Sequence, residues 1–243
     1  MIQFDLDGYK KLLDLVAENY KIITLEKVIP FINDQADFEN YSIIRHDVDY
    51  CLTDAYHLAK LENSLGIKST YYILSDSIYY NPSSQQSRYE LLKIVELGHD
   101  VGLHFDVAQY PVESHHKTIA AQKKYIENIC QQEICSVSYH NPAVIGLENL
   151  DLSAYVGGLF NTYSLDLKKS FSYFSDSLCR FRNQALLQEI KQKIYCNLHI
   201  LIHPIWWVEE GANREDKIKT VYHHCCSGAV FWRSLFSAAR KSY

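Results

Sequence analysis

Apolar and polar positions along this chain fall into blocks with two alternating periods. Leu6, Tyr9, Leu13 and Val16 recur at helical spacing and predict a helix over 5–19. An apolar, β-branched run predicts a strand over 41–47 that buries Ile43 and Ile44. Ala55, Leu58, Leu61 and Leu65 form the stripe of a helix over 53–65, with Thr53 as its cap and Gly66 as its stop. A strand over 68–74 and a helix over 85–97 follow, the latter closed by Gly98. The alternation continues with a strand over 100–105, a helix over 114–130 and a strand over 134–139. Weaker strand signals lie at 158–163 and 171–174, before a helix over 183–193, a strand over 198–202 and a final helix over about 217–240.

Strands that alternate with helices imply a mainly parallel sheet. At 243 residues, a single domain built as a closed or nearly closed barrel is the economical form. With nine Gly and five Pro, no repeat and no low-complexity segment, nothing marks a linker.

Composition narrows the function. Hydrophobic residues make up 47%, enough for a sizeable core, so a disordered chain is excluded. The formal charge is −5 and Lys and Arg form no block, which argues against a nucleic-acid partner. No apolar stretch approaches the roughly 20 residues of a membrane span. The N-terminus carries acids and no basic region, so it does not read as a signal peptide. The seven cysteines include no Cys-x-x-Cys pair, and Cys225-Cys226 is a vicinal pair in the predicted last helix, where a disulfide would be strained. The expectation is a reduced, cytoplasmic protein whose cysteines act as small core residues. The 19 tyrosines suit either a sugar-binding cleft or ordinary packing with the polar tip exposed.

In a parallel barrel the residues just after each strand gather at one rim. His46, Asp47 and Asp49 follow the first predicted strand, His104 and Asp106 the third, His140 and Asn141 the fourth, and His203 the last. Two carboxylates this close should diverge in behaviour: one that binds a cation stays ionised, and its neighbour is free to act as a base. His46 should point away from Asp47 on a strand, and His99, five residues before His104, should lie on the opposite face and reads as structural. The adjacent pairs His115-His116 and His223-His224 diverge on helices and make no joint site.

Asp47-Val48-Asp49, Gly98-His99-Asp100-Val101-Gly102-Leu103-His104, Ser138-Tyr139-His140-Asn141-Pro142 and Leu201-Ile202-His203-Pro204 resemble, in order, the motifs of the polysaccharide deacetylase family (the NodB-homology fold, carbohydrate esterase family 4). The resemblance spans about 42–207 and leaves 1–40 and 208–243 as flanking or capping segments. Arg-His-Asp-Val-Asp, Gly-Leu-His-Phe-Asp and Ile-His-Pro-Ile-Trp-Trp look most like a divergent bacterial branch found among surface-polysaccharide biosynthesis proteins.

The resemblance implies a distorted (β/α)7 barrel and one divalent metal, usually zinc. It implies Asp47 as general base, Asp49 as metal ligand and His203 as general acid to the leaving amine. Leu201 corresponds to an apolar position that lines the acyl pocket. His104 matches the first histidine of the second motif, but the second histidine is replaced by Ala108. A third ligand must then come from Asp106 or from His140, which stands where the family carries an arginine that orients the base. His140 is favoured, because one substitution then accounts for two departures and restores an Asp/His/His set. Asp176 loosely matches the acidic position of the fourth motif and would hold a histidine in one tautomer. Trp206 and Trp207 either floor a sugar subsite or pack. The implied activity is removal of an N-acyl group, acetyl first among them, from an amino sugar in an intracellular nucleotide- or lipid-linked glycan precursor. The alternatives are a metal-free C–N hydrolase of the same superfamily and a glycan-binding barrel without catalysis.

Overall fold

The computed structural model describes residues 2–35 and 38–223. Helix α1 (Leu6–Asn19) begins where Asp5 accepts the Gly8 N–H at 2.7 Å, satisfying one of the donors a helix start leaves open. Tyr9, Leu12, Leu13 and Val16 lie on its buried stripe. A buried aliphatic of this kind contributes about 1.5–3 kcal/mol, so a single Leu13→Ala change would unseat the helix more than any surface change.

The strands are β1 (Lys21–Ile22), β2 (Tyr41–Val48), β3 (Thr70–Leu74), β4 (Asp100–Asp106), β5 (Ser136–His140), β6 (Tyr155–Val156), β7 (Leu159–Asn161), β8 (Ser172–Ser175) and β9 (Asn197–Ile202). The remaining helices are α2 (Leu25–Asn33), α3 (Leu52–Ser64), α4 (Gln85–Glu96), α5 (His115–Cys130), α6 (Leu165–Ser170), α7 (Leu186–Lys191) and α8 (Ile205–Val208). Seven strands run in the order β7-β5-β4-β3-β2-β9-β8, and each neighbouring pair is parallel. β6 adds an antiparallel hairpin to β7, and β1 pairs with the start of β2.

The sheet curls on itself. Arg45, on the central strand β2, reaches Thr162 just beyond β7 at 2.7 Å, and its guanidinium lies 5.9 Å from the ring of Tyr173 on β8. One side chain thus touches both ends of the sheet. The result is the expected distorted barrel of seven parallel strands, open between β7 and β8.

Side chains alternate across each strand. Tyr71, Ile73, Val101, Leu103, Phe105, Val137 and Tyr139 pack outward in one core with residues of α3, α4 and α5. Ile44, Leu198, Ile200 and Ile202 pack in a second with α1, α7 and α8. Inward, Ile43, Tyr72 and Phe160 meet Leu25, Val28 and Ile32 of α2. That helix plugs the end of the barrel away from the strand C-termini and fills the region the sequence left as a capping segment. It contains Pro30, which hides its helical pattern.

Two local expectations need correction. Thr53 does not cap α3: the N-cap is Cys51 with no side-chain bond, and the Thr53 hydroxyl donates to Glu90 at 2.7 Å. Of the cysteines, Cys130 is a buried core residue, whereas Cys196 is exposed. Residues 214–223 are helical and begin the predicted last helix; the rest of it, with His224 and the Cys225-Cys226 pair, lies outside the described residues.

Behind β2, a polar cluster joins four elements. Glu62 accepts from Tyr9 at 2.5 Å, Ser69 at 2.6 Å, Tyr71 at 2.7 Å and His46 at 2.8 Å. His46 stacks on Tyr71 with ring centroids 4.2 Å apart, facing away from Asp47. His99 bonds the Ala59 carbonyl oxygen at 3.0 Å and stays within the core. Burial opposes the Glu62 charge, but His46, His99 and the Ser69 hydroxyl together outweigh it, so its pKa falls to about 2.

Candidate metal centre and acid–base pair

The inward register of β2, β4, β5 and β9 sets the site. Asp47 and Asp49 leave the end of β2, His104 comes from β4, His140 from the last position of β5, and His203 from the residue after β9. Asp49 Oδ1 lies 3.1 Å from His104 Nε2 and 3.2 Å from His140 Nδ1, and those two nitrogens are 3.3 Å apart. Among the described residues this is the one group of three such donors close enough to share an ion.

The spacing tests the fit of a cation. Three donors at such distances form one face of a tetrahedron whose centre is about 2 Å from each corner, the bond length zinc takes with nitrogen and carboxylate oxygen. His104 Nδ1 lies 3.1 Å from the Ser138 carbonyl oxygen; donation there keeps the proton on Nδ1 and leaves Nε2 bare toward Asp49. The residues present therefore fit a divalent ion with a preference for nitrogen ligands. Burial opposes the Asp49 charge, but the imidazoles of His104, His140 and His203 gathered around it outweigh burial and hold the carboxyl well below the usual range.

Asp47 stands beside this triangle with 3% of its surface exposed. Its Oδ2 accepts from Arg45 at 3.1 Å, and both oxygens lie within reach of the Ser138 hydroxyl at 3.1 and 3.2 Å. Arg45 is itself caged, 5.1 Å from the Tyr163 ring and 5.8 Å from that of Tyr72. On the other side, His203 Nε2 lies 3.8 Å from Asp49 Oδ2. His203 Nδ1 is 2.6 Å from Asp176 Oδ1, and Asp176 also accepts from the His203 backbone N–H and from Trp207 Nε1 at 2.7 Å. Burial works against the imidazolium, yet Asp176 prevails and lifts the His203 pKa to about 9.

Asp106 is not part of the triangle. It caps the turn after β4, accepting from the Ala108 N–H at 3.0 Å and from Gln109 at 3.2 Å. Trp206 is only 3% exposed and packs between Tyr50 and His203, so it offers no open face for a sugar; Tyr79, 4.7 Å from Tyr50, is the more exposed ring at that edge. Leu201 is buried two residues before His203, on the same side of β9. Arg45 and Ser138 stand in the quoted motifs, but sequence alone assigned neither of them a role at the site. The signal for Arg45 was a charge inside an apolar run, in step with Ile43 and Asp47.

A cavity of about 1070 Å³ lies elsewhere, lined by Trp207, Phe4, Arg180 and Arg214 among others. None of Asp49, His104, His140 and His203 lines it.

No family model matches the chain, and no curated protein matches it. Among solved structures, the chain is similar to a deacetylase, PplD, of Streptococcus pyogenes in complex with acetate, at 12% identity and a TM-score of 0.45 over 87% of this chain and 84% of that one. It is similar to a family 4 acetyl xylan esterase of Clostridium thermocellum in complex with a cobalt ion, at 12% identity and a TM-score of 0.44 over 76% and 83%. It is also similar to a mutant of a CE4 family pseudoenzyme with restored enzymatic activity, at 12% identity and a TM-score of 0.42, covering 77% of this chain but only 63% of that one. No helix among the described residues is long and apolar enough to cross a membrane.

Proposed function

We propose that this chain is a divalent-metal-dependent hydrolase that cleaves the C–N amide bond of an N-acylated amino sugar, acetyl being the first candidate, in a glycan or in a nucleotide- or lipid-linked glycan precursor. The observation that carries the reading is the Asp49–His104–His140 triangle flanked by Asp47 on one side and His203 on the other. Asp49, His104 and His140 would hold the ion. When bound, it would supply Lewis acidity, polarising the acyl carbonyl and making water easier to deprotonate.

The chain's own residues supply the proton transfers. Asp47, gripped by Arg45 and Ser138, is oriented to take the proton of the attacking water. His203, its charged form favoured by the buried Asp176 carboxylate, can donate to the leaving amine. A base and an acid on opposite sides of one cation site are what amide hydrolysis asks for. Leu201, buried beside them, would border the acyl methyl.

The test is acetate release from N-acetylated amino sugars, oligosaccharides and sugar nucleotides with zinc present, after exhaustive chelation, and after zinc is restored. Release that disappears with chelation and returns with zinc supports the reading. A protein that carries stoichiometric metal and releases acyl groups from none of them overturns it. Full activity after chelation would point to metal-free C–N hydrolysis instead.

A further inference from the structure

Each imidazole at the site has a partner on the nitrogen that faces away from Asp49. His104 has the Ser138 carbonyl oxygen, and His203 has Asp176. His140 has Asn141, the next residue in the chain, whose amide nitrogen Nδ2 lies 2.7 Å from Nε2. A half-turn of that amide exchanges its oxygen and nitrogen ends at the same distance. The two orientations have opposite consequences. If the nitrogen end donates to Nε2, the ring proton sits on Nδ1 and His140 is a simple donor to Asp49. If the oxygen end accepts from Nε2–H, Nδ1 is bare toward Asp49 and His104.

The backbone supports a specific role for Asn141. It has φ 46° and ψ 47°, the left-handed region, and it directly precedes Pro142. Side chains other than Gly, Asn and Asp are rarely tolerated there. In this conformation the amide lies against the His140 ring. Asn141 is solvent-exposed, so water competes for the same ring nitrogen, and a fixed acceptor decides which tautomer prevails.

Resting on the metal-site reading above, we propose that Asn141 is a positioning residue for the cation centre: its amide oxygen accepts the Nε2–H of His140 and turns the Nδ1 lone pair toward Asp49 and His104. The residue touches neither substrate nor ion. It acts through His140 alone.

The test is zinc affinity of the full chain, read by competition with a chromophoric chelator. Asn141→Gly keeps access to the left-handed backbone and removes the amide. Asn141→Asp tolerates the same backbone and can only accept. The expectation is that Asn141→Gly weakens zinc binding about 10-fold, as loss of an outer hydrogen bond to a ligating histidine does. Asn141→Asp should bind at least as tightly as the parent. In a His140→Ala background, Asn141→Gly should have no further effect. Affinity of Asn141→Gly within about twofold of the parent overturns the inference. So does an Asn141→Asp variant as weak as Asn141→Gly, since it would mean the amide donates. So does an equal loss in the His140→Ala background, which would mean a general loop effect. A parent protein that binds no zinc removes the metal-site reading and this inference together. A tight-binding parent with an unaffected Asn141→Gly variant removes the inference alone.

Discussion

Arg45 and Asp47 stand two residues apart on β2, so both side chains leave the same face of the strand, and Arg45 Nη2 meets Asp47 Oδ2 at 3.1 Å. The carboxylate is oriented from its own strand. His140 faces Asp49 instead, its Nδ1 3.2 Å from Asp49 Oδ1. Arg45→Lys keeps the charge but loses the planar fork that spans Thr162 and Asp47. It should lower kcat about 100-fold, the order a misplaced catalytic group costs, with metal content unchanged. Arg45→Ala leaves Asp47 buried without its counter-charge and should destabilise the fold by about 3–5 kcal/mol in denaturant unfolding.

The two carboxylates should separate in a simple pair of variants. Asp49→Ala removes a corner of the triangle and should lower metal content and turnover together. Asp47→Asn keeps the size and most contacts of the side chain and removes its basicity. It should hold metal at the parent level while kcat falls by about 100-fold or more, as loss of a general base does. Elemental analysis beside kinetics checks both. Equal metal loss in the two variants would mean that Asp47 is also a ligand.

How much of this was legible in the sequence depended on the length and period of each segment. β2, α3, α4, α5 and β9 have long, clean patterns, and the structure has them within a few residues of the expected ends. α2 was hidden by Pro30, and β1 and β6 are two residues each, too short to show any period. At the site, Asp47, Asp49, His104, His140 and His203 could be collected because strand C-termini of a parallel sheet share a rim. The motifs already favour His140 over Asp106, and the fold brings His140 to 3.2 Å from Asp49 while Asp106 bonds the turn after β4. Trp206 could not be judged: packing between Tyr50 and His203 is a tertiary outcome with no local signal.

Gly102 is required by a neighbour rather than by its own backbone. A Cβ there would come within 2.6 Å of Cδ1 of Tyr72. The Tyr72 ring cannot swing away easily: it is fully buried, and its hydroxyl bonds Ser136 at 2.7 Å. Gly102→Ala should cost about 1–3 kcal/mol through overpacking. Because His104 lies two residues further along the same face, zinc affinity should drop as well. Tyr72→Leu makes room, so the double variant should be less destabilised than the sum of the singles, a coupling that denaturant unfolding of all four proteins would measure.

Glu62 ties acid stability to the cluster behind β2. Its pKa is lowered from 4.5 to about 2 in the folded chain, burial being outweighed by His46, His99 and Ser69 together. A carboxyl whose pKa is depressed by folding stabilises the folded chain wherever it would be ionised in the unfolded chain, because folding favours its charged form. That contribution is complete above about pH 4.5 and is lost as pH falls toward 2. The shift corresponds to roughly 3 kcal/mol at neutral pH. Glu62→Gln cannot titrate, and it turns an amide N–H toward the hydroxyls of Tyr9 or Tyr71. The stability gap between parent and variant should therefore be widest near neutral pH and narrow steadily below pH 4.5. Denaturant unfolding of both proteins between pH 7 and pH 3 measures it, and a gap that stays constant across that range would show that Glu62 is not held as a carboxylate.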